Sequence, residues 1–415
     1  MGLFSREPKP HVTYEVSEKY KKLRMFLIIV LLAIGVVAIT TGIVALLNTD
    51  PGWQEVTVST QERNCGANFI FQYHFSDAGA SATELNKKVN SVYDAAAVKA
   101  YWLFTPDEAS EEYKNIYYIN HHPDEVITVD PVLYQAFQKL EAAGNRYLYL
   151  GPAYAEYNSL FFNQDNHQVQ ELDPAVNEEN RAYVETVAGF ALDETHVNLE
   201  LLGNNQVKLT LSQAYKDFAK AYEIDCFIDF HYMANAFIVD YFAQELIAEG
   251  LTHGYIVSVD GYTRNLWNGG DTFQMNLFDL KDTTIFPAGT FGYTGPMSIV
   301  ALRDFPIAAS DVYYREGADK TILHPYLSLQ TGKPKASTHA LVGTSKTASC
   351  ADILLQLQPL YIADSLSASD LTALKAEDIQ CIWFENSSIC YVGEGFTFSD
   401  LFTDGNITYQ PVKQG

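Results

Sequence analysis

The stretch IDFHYMANAFIVD, residues 228–240, sets the reading of this sequence. A carboxylate, Asp229, stands just ahead of an apolar run from Met233 to Ala248 that reads as a helix stopped by Gly250. A negative side chain there complements the helix dipole. Upstream, Val197, Leu199 and Leu201 alternate with polar residues, Gly203-Asn204-Asn205 follow, and Val207, Leu209 and Leu211 alternate again, which is the pattern of a hairpin. Ser212 then caps a helix through Tyr222. Asp130-Pro131 and Asp173-Pro174 each read as a helix start, the first running to Ala143 and the second serving a helix near residues 177–189. Phe69 to Phe75 reads as a strand and Thr83 to Trp102 as a helix. Downstream, Tyr255 to Val259 and Phe273 to Leu277 read as strands. Helices follow near residues 351–357 and 369–375, then strands around Cys381 and Cys390. Strands and helices mix without strict alternation, so the fold class is α+β, with mixed sheets and packed helices.

The N-terminal end carries a different message. Residues 25–47 hold no charge, and 15 of the 23 are Leu, Ile, Val or Phe. At about 1.5 Å per residue such a helix is roughly 35 Å long, enough to cross a hydrocarbon layer of about 30 Å. Arg6, Lys9, Lys19, Lys21, Lys22 and Arg24 precede it, and no Lys or Arg follows before Arg63. The positive-inside rule then puts the N-terminus in the cytoplasm. The run is longer than a cleavable signal and lacks a small-x-small site after it, so it reads as a retained signal anchor. The expected organisation is a cytoplasmic basic tail (1–24), a transmembrane helix (25–47), a linker (48–60) and an extracytoplasmic domain (61–412) at the cell membrane. The first 24 residues carry six basic and three acidic side chains, so 21 basic face 48 acidic in the rest, a net charge of −27 there. That surface repels nucleic acid. The five cysteines have no zinc-type spacing. Cys381 and Cys390 flank a turn expected at Glu385-Asn386 and would face each other across it, either as a cross-strand disulfide or, the favoured reading, as two free thiols.

From about residue 60 to 410 the order of segments resembles the ApbE family, the FAD:protein FMN transferases. AYWLFTPDEASEEYKNIYYIN, ending at Asn120, is similar to the family's "fs.Y.pdSeis.lN", and RYLYLGPAYAEYNSLF (146–161) to its "aFdptvGPl..lW". Residues 228–240 resemble "iDlGGiaKGyavD", with Asp240 at the matching distance from Asp229. HGYIVSVDGYTR (253–264), AASDVYYR (308–315), LQTGKP (329–334) and HALVGTSKTASCADILLQ (339–356) are similar, in turn, to "lvniGGdir", "ATSGdYer", the end of "HIlDPrTGrP" and "vtVvads...ADalaT".

The resemblance implies cleavage of FAD and attachment of FMN to a Thr or Ser of a partner protein, with Mg²⁺ and protein cations neutralising the phosphates. It implies FAD contacts from Asp229 and Asn235, Asn235 standing where the family has Lys. Ser310 keeps the hydroxyl of the "TSG" segment and would contact the cofactor or the reacting group. His324, one residue from the family's His position where Pro325 stands, is the candidate for taking the hydroxyl proton, and it reads equally as a structural histidine. Asp352 and Gln356, one helical turn apart, take the positions of the family's metal-binding Asp and Thr. Asp352 also reads as a carboxylate at the N-terminus of its helix, as Asp229 does. The paired glycines after Asp229 are His231 and Tyr232, which would crowd a ligand against the backbone. Two functions are therefore open: an anchored transferase acting on an exported flavoprotein, or an ApbE-like ectodomain that binds flavin, nucleotide or a protein partner without transfer.

Overall fold

The computed structural model describes residues 51–76, 80–308, 311–405 and 407–414. The expected anchor, the basic tail, Ser310 and Asn406 lie outside the described residues. Among the described residues no helix is long and apolar enough to cross a membrane. The chain divides into two compact units. One joins residues 1–51 with 76–86, and its described part is chiefly the opening of the helix Ala80–Phe104. The other, residues 52–75 and 87–415, carries everything that follows.

This larger unit is built on a nine-stranded sheet: β1 (Gly52–Val56), β2 (Phe69–Phe75), β3 (Gly254–Ser258), β4 (Tyr262–Asn265), β5 (Met297–Arg303), β6 (Ala340–Ser345), β7 (Gln380–Glu385), β8 (Ser388–Val392) and β9 (Gln410–Lys413). Spatial order follows chain order, and every neighbour is antiparallel except the β8–β9 pair. β1 lies in the stretch read as linker. Between β2 and β3 comes a long, largely helical excursion that includes α1 (Pro131–Ala142) and α2 (Ala234–Ala248). It also holds the hairpin Val197–Gly203/Gln206–Leu211, which forms a three-stranded sheet with Ile127–Thr128.

Local chemistry explains most element ends. Asp130 caps α1 by accepting from the Val132 amide at 2.9 Å, with Pro131 in the first turn, and Ser212 caps Gln213–Ala221. Asn204 and Asn205 both take positive φ at the hairpin turn. The second Asp-Pro pair behaves differently. Asp173 ends the helix Asn166–Leu172, and Asn177 is the residue that caps Glu178–Leu192. The buried Asp173 carboxylate instead accepts from the Ala175 and Ala318 amides, both at 2.8 Å, which ties this turn to a distant loop. The β7–β8 turn is Asn386-Ser387, both at positive φ. The register pairs Cys381 with Val392 and Cys390 with Trp383, so the two thiols are not opposite, and both are free.

β5 is buried along its whole length because both faces of the sheet are covered. On one face lie α2 and α3 (Cys350–Tyr361). The hairpin Thr272–Lys281/Thr284–Thr294 covers the other, where Leu277, Ala288 and Phe291 pack against Ile299, Ala301, Val342 and Ile382. Gly343 on β6 permits the close approach of α3. A Cβ there would overlap Leu357 and stand 2.7 Å from Ile353 Cγ2. The Gly343→Ala variant is expected to lose about 1–3 kcal/mol, the cost of overpacking a filled core, as a lowered urea midpoint. An unchanged midpoint would show that α3 has room to move.

Candidate functional site

The segment of residues 226–233 runs between a buried asparagine and α2. Asn120 takes the part of a neighbouring strand. Its Oδ1 accepts from the amides of Phe227 (3.0 Å) and Ile228 (2.9 Å), and its Nδ2 donates to the Ile228 carbonyl at 2.9 Å. The Asp229 amide donates to the Leu148 carbonyl at 2.9 Å. Thus held, the Asp229 side chain folds back and accepts the His231 amide at 2.7 Å, and a single 3-10 turn, His231–Met233, leads into α2. His231 has φ +45°, a left-handed backbone that glycine would adopt at no steric cost. The imidazole helps to hold that conformation. It stacks on Tyr154 (centroids 4.4 Å apart, planes 4°), and its Nε2–H donates to Asn158 Oδ1 at 2.9 Å. Burial drives its pKa down to about 3, so the ring is neutral.

Asp229, His231 and Asn235 line one cavity of about 420 Å³, together with Asp107, Asp260, Arg303, Asp311 and several tyrosines. Its polar groups are largely paired with one another. Asn235 Nδ2 donates to Asp260 Oδ2 at 2.5 Å. Arg303 donates to Asp311 Oδ1 at 2.9 Å, and Asp311 Oδ2 accepts the amides of Ile307 (2.6 Å) and Ala308 (2.9 Å). Asp311 therefore knots its loop onto the end of β5. Among the described lining residues Arg303 is the only Lys or Arg, and its charge is met by Asp311. Burial raises the Asp229 carboxyl to about 7 and that of Asp260 to about 6.

The other expected residues fall elsewhere. His324 is buried behind the wall that Pro325 and Tyr326 present to the cavity. Burial lowers its pKa to about 4, and its Nδ1 has no partner. Asp352 and Gln356 line a second cavity of about 460 Å³ that shares no lining residue with the first. Asp352 completes a capping box with Ser349 at the start of α3, and its Oδ1 lies 2.5 Å from Lys139 Nζ. Burial alone would raise this carboxyl, but the hydrogen bonds from Lys139 and Ser349 hold it below the ordinary range. Both oxygens are already engaged by donors, and Gln356 points to solvent. The pair therefore does not fit a divalent cation, which would have to displace an ammonium. Among the described residues no three His, Cys, Asp or Glu side chains group as a metal site.

Asp240, beside the midpoint of α2, was legible only as part of the matched segment. It is buried beneath the N-terminus of α3, where it accepts the amides of Cys350 (2.9 Å) and Ala351 (2.8 Å), and Arg264 Nε stands 3.7 Å away. Asp260 and Asp311 lie in matched segments and Arg303 in none, and their grouping was not legible because the long excursions of the chain bring them together.

No protein-family model and no curated protein matches this sequence. Among solved structures, the ApbE protein of Thermotoga maritima superposes with a TM-score of 0.53 at 13% identity, over 84% of this chain and 97% of that one. The flavin transferase ApbE of Vibrio cholerae superposes with a TM-score of 0.50 at 13% identity, over 85% and 98%. The chain has an ApbE-like fold, in strongly divergent form.

Proposed function

We propose that the larger unit is an ApbE-like ectodomain that binds the ring system of a flavin without transferring FMN. The observation that carries this reading is the separation of the expected site. Asp229 and Asn235 line one cavity, Asp352 and Gln356 another, and each cation nearby is already paired. A diphosphate entering the first cavity would meet Asp107, Asp229, Asp260 and Asp311 against one neutralised Arg303. Three of those carboxyls, Asp107, Asp229 and Asp260, already resist ionisation, and added negative charge would raise them further. A lost charge-assisted bond to phosphate costs about 1.5–3 kcal/mol, roughly 10- to 150-fold in affinity. An uncharged aromatic ring system meets no such penalty, and Tyr101, Tyr313, Tyr314 and Tyr326 offer it apolar and stacking surface.

The test is a titration of the purified domain with riboflavin, FMN and FAD, read by quenching of flavin fluorescence. Affinity should fall in that order. In parallel, the domain is incubated with FAD, Mg²⁺ and an acceptor carrying a flavinylation motif, and the acceptor should stay dark in the gel. A fluorescent acceptor band would establish the transferase reading instead, and FAD binding more tightly than riboflavin would refute the account of the cavity.

A further inference from the structure

Among the described residues, the face of the sheet that the Thr272–Lys281/Thr284–Thr294 hairpin covers is not covered to its first edge. At β1 to β3 it carries a continuous set of half-buried rings. Trp53 on β1 stands opposite His74 on β2, with ring centroids 5.3 Å apart. Trp53 also meets Tyr255 of β3 at 5.3 Å, Trp267 at 5.5 Å and Phe273, at the start of the hairpin, at 5.7 Å. Ile70, on the same face of β2, is 49% exposed. Isolated exposed apolar side chains are ordinary, but a joined cluster of two tryptophans, a tyrosine, a phenylalanine and a histidine marks an interaction surface.

We propose that this aromatic patch rests in the headgroup layer of the bilayer in which the chain is anchored. The proposal builds on the signal-anchor reading of residues 25–47 and is independent of what the cavity binds. Chain length selects the occupant. The apolar run ends at Leu47, six positions before Trp53, so extended chain places the indole at most roughly 20 Å from the end of the span. On that anchor reading Trp53 stays near the membrane, whose headgroup layer is roughly 5–7 Å deep on each side. Chemistry agrees, because Trp and Tyr collect at the membrane–water interface. Charge then selects the lipid. No Lys or Arg occurs from residue 25 to residue 62, and the remainder of the chain is strongly acidic, so zwitterionic rather than anionic headgroups are the partner.

The sequence makes the test clean. Its four tryptophans are Trp53, Trp102, Trp267 and Trp383, and none lies in residues 25–47, so the span itself is silent. The full chain is reconstituted in phosphatidylcholine nanodiscs with and without a lipid bearing a nitroxide near the headgroup. The nitroxide should reduce tryptophan emission. That loss should persist in W102F and disappear in the W53F/W267F double variant, in which the buried Trp383 still reports a folded domain. Absence of quenching in chain that co-elutes with discs would overturn the docking while leaving the anchor standing. Chain that fails to co-elute would overturn both. If the wild type is a dimer in detergent and W53F/W267F a monomer, the patch serves a second copy of the chain and the lipid assignment fails.

Discussion

At pH 8 the Asp229→Asn variant should melt above the wild type, and at pH 4 the two should coincide. Burial raises the Asp229 carboxyl from its ordinary 3.8 to about 7 in the folded chain. Between those values the folded state holds a proton that the unfolded state has released. Stability therefore falls as pH rises through this window, and the loss is complete above about 7. At about 1.36 kcal/mol per unit, ionising this buried carboxyl costs on the order of 4 kcal/mol. Asparagine keeps the Oδ1 acceptor for the His231 amide and never ionises. The gain corresponds to a rise of about 5–6 °C in melting temperature in a domain of this size. Equal melting temperatures at pH 8 would mean that the carboxylate is compensated in a way the cavity geometry does not show. A buried carboxyl with so raised a pKa, lining a cavity, is what a functional site is expected to contain.

The second large effect is structural. Asp240→Ala should lower stability by about 3–5 kcal/mol, the usual result of removing one member of a buried charged network. Two amides at the N-terminus of α3, those of Cys350 and Ala351, would lose their acceptor, and the Arg264 guanidinium would lose its nearest carboxylate. Denaturant unfolding of wild type and variant measures this directly. A loss under about 1 kcal/mol would show that water replaces the carboxylate at the helix end. The prediction also explains a spacing visible in the sequence: Asp229 and Asp240 sit at opposite ends of one segment, the first serving the cavity and the second holding α3 in place.

Much of the fold was legible because its determinants are local. The Asp130 and Ser212 caps, the Asn204-Asn205 turn and the alternation of β2 each depend on a few neighbouring residues. β5 and β6 left no periodic trace, since strands buried on both faces do not alternate. Asp173-Pro174 was misread as a cap because the same residue types that start helices also close turns, and the partner that decides the matter, Ala318, is far along the chain. The order of segments led to the ApbE-like fold, which the superpositions support. The site was less legible. Asp229, Asn235 and the His231-Tyr232 substitution were found by matching one segment. The pairing of Arg303 with Asp311 and of Asn235 with Asp260 depends on tertiary approach. So does the commitment of Asp352 to Lys139, a residue more than two hundred positions away.

The sheet whose strands lie side by side in the order of their synthesis also bears on how such a protein changes over generations. Each connection between adjacent strands leaves the sheet and returns to the next position, so its contents can be rewritten without disturbing the ladder on either side. The cavity residues come from those connections and from strand ends, whereas register and core belong to the strands. Mutation can therefore rework the chemistry of such a chain long before it endangers folding, and the scaffold stays recognisable at 13% identity.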